Sequence, residues 1–389
     1  METVSINRLA ELEKEIDRLR EDRNRYFIQH RQATQKDRNE EISRRADSIY
    51  KEALWADDIT GLNPGFKYLI AGMALNLAED YDLRCEDSLS MAVRLLPSST
   101  IAWNELGQCI SKRGDDPTLV RCLFTSSLSI SRSPSTLALL SISIRATLST
   151  LSPDESSLAR MESLSLARES VEMDDMCGDG WMSLANALLA SFFFDGQKNS
   201  HHLEESIRSY EKAISAGMDH QSDLHLNLST ALRYECHLKK SVDHLERAYD
   251  CDRSPSIYKI LSEHRTILKE MDQCIEEMNE EENIEEDEMK INGTITGTIA
   301  KMCSPPSFTP SLLLLSPSSS SSPSPIIVAL LNCSSSLSLL VGDTISIPSY
   351  QLLEYSSRPL LRVSTPSTLL RNGRSLRDSS LAMASVSIE

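Results

Sequence analysis

The chain has 389 residues, with 40 Lys and Arg against 57 Asp and Glu and a formal net charge of −17. That length fits two or three domains, a 40% apolar share can fill a sizeable core, and the acid excess argues against a protein that tracks duplex phosphates. No run approaches 18 apolar residues, the charged opening METVSINRLAELEKEIDRLR lacks an apolar h-region, and the nine cysteines form no CxxC pair. A membrane span, a secretory signal and a disulfide framework are therefore not expected, and the thiols read as reduced.

Residues 1–55 are expected to be an N-terminal helical segment. Leu9, Leu12, Ile16 and Leu19 recur at three- and four-residue spacing. This narrow stripe is too short for a coiled coil, so it should pack on the domain behind it.

Residues 56–275 repeat. Trp103-Asn-Glu-Leu106-Gly107 matches the W-x2-L-G opening of a tetratricopeptide repeat, with Trp103 at position 4 of a 34-residue unit. Stepping along the chain places the other position-4 residues at Leu69, Leu137, Trp181 and His225, with intervals of 34, 34, 44 and 44. The ten-residue surpluses are expected between helices A and B, near 149–158 and 191–200. Gly72 stands one place early for position 8, which implies an extra residue in its hairpin. The spacing predicts five helical hairpins in a right-handed solenoid, a mostly α fold, with a terminal helix near 256–277 capping the stack. Trp181 should be core, between the two helices of its own unit.

Residues 276–306 read as an acidic and Ser/Pro linker, because the block from Glu276 to Glu288 repels itself and a Ser/Pro-rich tract of low complexity, 304–325 with SPSSSSSPSP, begins at its end. The short apolar runs IIVALL, LSLLVGDTISIP and PLLRVSTPSTLL predict a small β module over 307–376. Residues 377–389 form a tail. On this division, 1–275 should fold without the β module.

The chain has no GxSxG, HExxH, P-loop or dinucleotide fingerprint. The pair His201-His202 lacks clustered co-ligands, so neither a metal nor a cofactor is expected, and the chain reads as non-enzymatic. The chemistry lies on the helix A faces. There, positions 2, 5, 9 and 12 form a stripe about 130° from the packed one, at about 100° per residue. That stripe should line a concave groove. It carries Asn104 in the second unit, Arg145 in the third, Asp179 and Asn186 in the fourth, and Asp223 and Arg233 in the fifth. Asparagines can hold an extended peptide by its backbone, while Arg145 and Asp223 can read opposite charges.

AWNELG (102–107), ARESVEMD (167–174), GWMSLANALLASFFFDGQKN (180–199), DLHLN (223–227) and VGDTISIP (341–348) together resemble the Strap (tetratricopeptide repeat protein 5) family. The resemblance implies a solenoid followed by an OB-like module, here incomplete because its early strands are missing or collapsed into the Ser/Pro tract. It implies recognition of the N-terminal peptide of nascent tubulin at the ribosome, leading to tubulin mRNA decay through an mRNA-decay adaptor in the cytoplasm. In the alternative role, the family assists a histone acetyltransferase coactivator and a stress-responsive transcription factor in the nucleus. Arg145 and Asp223 stand where the family binds a Met-Arg-Glu peptide, and Asn227 closes the DLHLN segment. The family's basic stretch after the solenoid is replaced by the acidic block, so ribosome docking does not carry over. Few aromatics accompany the arginines of the β module, so it is not expected to bind nucleic acid.

Overall fold

The computed structural model describes residues 2–55, 63–197, 199–281, 293–305, 308–318, 325–331, 333, 339–356, 358–364 and 368–375. The tail 377–389, acidic residues 282–288 and part of the Ser/Pro tract lie outside these. Among the described residues, fourteen α-helices precede an eight-stranded sheet. Three helices come first: α1 (Glu2–Asn24), α2 (Tyr26–Gln29) and α3 (Gln35–Trp55). Five hairpins follow. They are α4 (Gly65–Leu75) with α5 (Leu83–Leu95), and α6 (Thr100–Arg113) with α7 (Pro117–Ile130). Then come α8 (Pro134–Ala146) with α9 (Pro153–Met173), α10 (Gly178–Phe194) with α11 (Ser200–Ala213), and α12 (Ser222–Tyr234) with α13 (Leu238–Asp252). Helix α14 (Pro255–Glu281) is the last. No helix among the described residues is long and apolar enough to cross a membrane.

Local sequence fixes the helix ends. The side chains of Asp82, Ser99, Asp116, Ser133 and Ser152 each accept a backbone N–H from the first turn of α5 to α9 in order. Each such cap contributes about 1 kcal/mol. Three of these helices also open on proline, whose missing N–H needs no partner there. Gly114, at φ 76°, ends α6 in the left-handed region where a Cβ would be strained.

The chain divides into two compact units. Unit 1 comprises residues 1–188, 208–224 and 247–254, and unit 2 comprises 189–207, 225–246 and 255–389. In unit 1 the N-terminal stripe is buried: Leu12, Ile16 and Leu19 are each 0% exposed, against Ile42, Ala46 and Ile49 of α3 and Ile70, Ala71 and Ala74 of α4. The first two hairpins touch through glycine where the register wants a small residue. A Cβ on Gly107 would lie 2.6 Å from a Phe124 ring carbon, and one on Gly72 would lie 2.4 Å from Leu89 Cγ. Gly72 thus takes the close-approach role despite standing one place early. Its hairpin accommodates the shift with a longer turn, 76–82 against 114–116 in the next.

One expectation is corrected. The surplus residues do not sit chiefly in loops: α9 has 21 residues against 14 for α7, and α10 has 17 against 14 for α6. The apolar stretch at 191–194 continues α10 because a loop would expose it. Trp181 is half-buried on the cluster of Ala167 of α9 with Leu184 and Leu188 of α10, where Leu164 and Val171 of α9 also pack. Its indole N–H donates to the Asp175 carbonyl at 2.7 Å, six residues back, as that of Trp103 donates to Pro97 at 2.9 Å. At Trp103 and Trp181, position 4 therefore pins the turn that enters helix A.

In unit 2 the strands are β1 (Ile295–Met302), β2 (Ser311–Pro317), β3 (Ile326–Leu330), β4 (Thr344–Ile347), β5 (Gln351–Tyr355), β6 (Arg358–Val363), β7 (Leu370–Arg371) and β8 (Arg374–Ser375). Their order is β5-β6-β3-β2-β1-β4-β7-β8, with β3 and β6 parallel and every other pair antiparallel. Strand β1 falls in the stretch read as linker and β2 in the Ser/Pro tract, so the early strands are present. Among the described residues the sheet ends at β5 and β8 and does not close into the barrel of an OB-fold. The runs SLLLL and IIVAL do not alternate because both sheet faces are covered. Leu312, Leu314, Ile327, Ala329 and Leu360 meet Ile267, Met271, Cys274 and Ile275 of α14. Leu313, Leu315, Ile326, Val328 and Leu361 meet Ile295, Ile299, Ile345 and Ile347.

The sequence boundary at 275 thus runs through an apolar cluster of unit 2. A chain truncated after 275 is expected to aggregate or lose helicity, by size-exclusion chromatography and circular dichroism; a soluble, fully helical fragment would show the cluster to be dispensable. Gly107→Ala is expected to lower the urea midpoint. Overpacking costs about 1–3 kcal/mol, which exceeds the helix-propensity gain of up to about 1 kcal/mol; an unchanged midpoint would exclude the close approach.

Candidate peptide-binding site

Arg145 lies in the last turn of α8, where a basic side chain suits the negative end of the helix. One guanidinium nitrogen faces three hydroxyls: Ser141 Oγ at 2.8 Å, Ser163 Oγ at 3.0 Å and Ser183 Oγ at 3.3 Å. These come from α8, α9 and α10, and each serine is 0% exposed. The serines also bond one another, Ser141 to Ser163 at 2.9 Å and Ser183 to Ser141 at 3.0 Å. Among the described residues no carboxylate reaches Arg145, and its remaining N–H donors carry no protein acceptor. Burial lowers the guanidinium to about 10, so it stays cationic at neutral pH. Hydroxyl dipoles reduce the cost of holding that charge without neutralising it.

Asp223 lies in the first turn of α12 and lines a cleft of about 400 Å3 with Arg23, Arg38, Glu79, His220 and Asp252. Arg145 is not among the residues lining it. Arg38 pairs with Glu79 and, at 3.1 Å, with Asp252, and Gln35 bonds Asp252 at 2.8 Å. Arg23 donates to the Leu77 carbonyl at 3.0 Å, and burial followed by the charges of Arg20 and Arg38 lowers its pKa. Asp179 lies in the first turn of α10. Crowding by neighbouring atoms raises its carboxyl, although its outer side meets solvent, and the nearby His220 of the cleft opposes that shift. Ser183, one turn along α10, is the hydroxyl that meets Arg145.

The other expected site residues scatter. Asn186 accepts from Tyr210 Oη at 2.5 Å, and Asn104 donates to Thr136 Oγ1 at 2.8 Å while its own oxygen is buried without a partner. Asn227 and Arg233 belong to unit 2, Asn227 buried and Arg233 half-buried. Sequence reasoning missed the serine cluster and the contribution of α1 and α3. The serines had a signal, since Ser141 occupies the small-residue position 8. Arg23 and Arg38 had none, because nothing in a local pattern pairs residues 23–38 with 219–252.

No family model matches the chain. It is 34% identical over 186 residues to tetratricopeptide repeat protein 5 of Bos taurus, a match covering 47% of this chain and 42% of that protein. With the Homo sapiens protein of the same name it shares 29% over 248 residues, covering 63% and 55%; with that of Mus musculus, 36% over 169 residues, covering 43% and 38%. The chain is a relative of tetratricopeptide repeat protein 5. The resemblance read from the repeat and loop segments is borne out, and the chain spans about half the length of these curated relatives or less. Among solved structures, YrrB, described as a TPR protein with an unusual peptide-binding site, matches at a TM-score of 0.31 and 13% identity, over 54% of this chain and 94% of that one. The C-terminal part of a TPR repeat-containing protein from Cytophaga hutchinsonii matches at 0.36 and 12%, over 67% and 98%.

Removing an uncompensated buried charge offsets the loss of its hydrogen bonds. Arg145→Met is therefore expected to change unfolding free energy by less than about 1 kcal/mol, whereas Ser163→Ala should cost about 1–3 kcal/mol by removing a hydroxyl that Arg145 and Ser141 both bond and that itself donates to the Ser141 carbonyl. Urea denaturation measures both, and a larger loss for Arg145→Met would make that arginine structural.

Proposed function

We propose that this chain is a non-enzymatic adaptor whose unit 1 binds a peptide carrying one acidic and one basic side chain. The observation that carries this reading is Arg145, a desolvated guanidinium supplied with hydroxyls but with no carboxylate. A ligand carboxylate would complete it, at about 1.5–3 kcal/mol for a charge-assisted contact. Asp223, in the first turn of α12, faces a cleft that can take a basic side chain.

The family resemblance points to the N-terminus of nascent tubulin as that peptide, with tubulin mRNA decay in the cytoplasm as the outcome. The nuclear transcription-cofactor role rests on the resemblance alone. Arg145→Met and Asp223→Asn should each weaken binding of a Met-Arg-Glu-Ile peptide by about ten- to a hundredfold. Isothermal titration calorimetry on the full chain measures this. Restoring parity by changing Glu in the peptide for Arg145→Met, and Arg for Asp223→Asn, would assign each contact. Equal wild-type affinity for the peptide and its Arg-to-Ala variant would refute the tubulin reading.

A further inference from the structure

Unit 2 holds a second guanidinium that its own protein leaves incomplete. Arg233 stands at position 12 of the fifth hairpin, the register place Arg145 has in the third. Arg145 rests on hydroxyls, but Arg233 has neither a hydrogen-bond acceptor nor an ion-pair partner among the described residues. Its guanidinium carbon lies 5.6 Å from the ring centre of Tyr234 and 5.3 Å from that of Phe308. Phe308 belongs to the segment between β1 and β2, and its ring meets His264 of α14 edge to face at 5.0 Å.

The nearby charges do not neutralise it. Glu235, two residues along the chain, is held by Arg362 at 3.2 Å. His264 is held down to about 3, first by burial and then by the charge of Arg233, so it is neutral at neutral pH. Ring faces attract a cation by their quadrupoles but offer no directed acceptor. The guanidinium therefore keeps five N–H donors, in a fixed planar fork, without oxygen atoms to receive them. A fork of that geometry matches two oxygens of one carboxylate or phosphate, and the loss of hydration around it strengthens such a contact.

We propose that Arg233, braced by Tyr234 and by Phe308, whose ring His264 meets, is an oxyanion-binding residue of unit 2. It takes one carboxylate or phosphate group of a ligand. This goes beyond the peptide reading, because it uses no residue of unit 1.

Isotope-labelled full-length protein is titrated separately with inorganic phosphate and with acetate, at ionic strength held constant with chloride. The Arg233 side-chain N–H and His264 ring resonances are expected to shift saturably with at least one of them, and the anion that saturates identifies the ligand's source. Arg233→Gln should weaken that binding about tenfold or more, and Arg233→Lys should retain part of it. If Arg233→Gln does not fold, Phe308→Leu keeps the cation and removes one ring, and should weaken binding several-fold. Absence of a saturable shift with either anion would overturn the proposal, as would wild-type affinity in Arg233→Gln or in Phe308→Leu.

Discussion

Close approach of the paired helices at position 8 is the constraint on which the hairpins depend. Two helices can touch there only if one presents almost no side chain. Gly107 meets the ring of Phe124 and Gly72 meets Leu89 at distances that exclude a Cβ. Later hairpins meet the same demand with paired hydroxyls: Ser141 with Ser163, and Ser229 with Ser241 at 2.9 Å. A buried serine must be hydrogen-bonded, so this solution leaves hydroxyl oxygens in the interior. Arg145, one turn after Ser141, uses them. The candidate site is thus a by-product of how the third hairpin solves its packing problem.

Burial on both faces organises unit 2 in a similar way. Leucines and isoleucines of β2 and β3 point alternately to α14 and to the curl formed by β1 and β4, so neither face can be left to solvent. The turn before β4 is fixed by one carboxylate. Asp343 accepts from the Leu340 amide at 2.8 Å and the Asn372 side chain at 2.9 Å, and it pairs with Arg371 at 2.8 Å. Gly342, at φ 93°, supplies the left-handed residue that the turn requires.

A net charge of −17 makes the two unneutralised arginines more telling. Acidic partners are plentiful along the chain, and other half-buried cations find them, as Arg113 finds Glu86 at 2.8 Å and Arg38 finds Asp252. Arg145 and Arg233 are walled by hydroxyls in one case and rings in the other, both neutral. Neutral walls keep a cation's field available to a ligand, whereas a carboxylate would cancel it.

The sequence by itself determined the repeat register, because a helix A opening on tryptophan and a small residue four places later are local requirements of one hairpin. It also determined that the N-terminal stripe must be buried, since four apolar residues at helical spacing have no other stable place. Which residues share a site was decided only by the tertiary structure. Asp223 was legible as a groove residue, but its cleft is completed by Arg23 and Arg38, and the bond between Gln35 and Asp252 spans 217 positions. Residues 276–306 read from their charge and serine content as a linker, yet Ile295 and Ile299 lie in the core. Composition averages over a segment, whereas burial depends on the few apolar side chains that a distant helix or strand can cover. That cover exists only once the chain has folded.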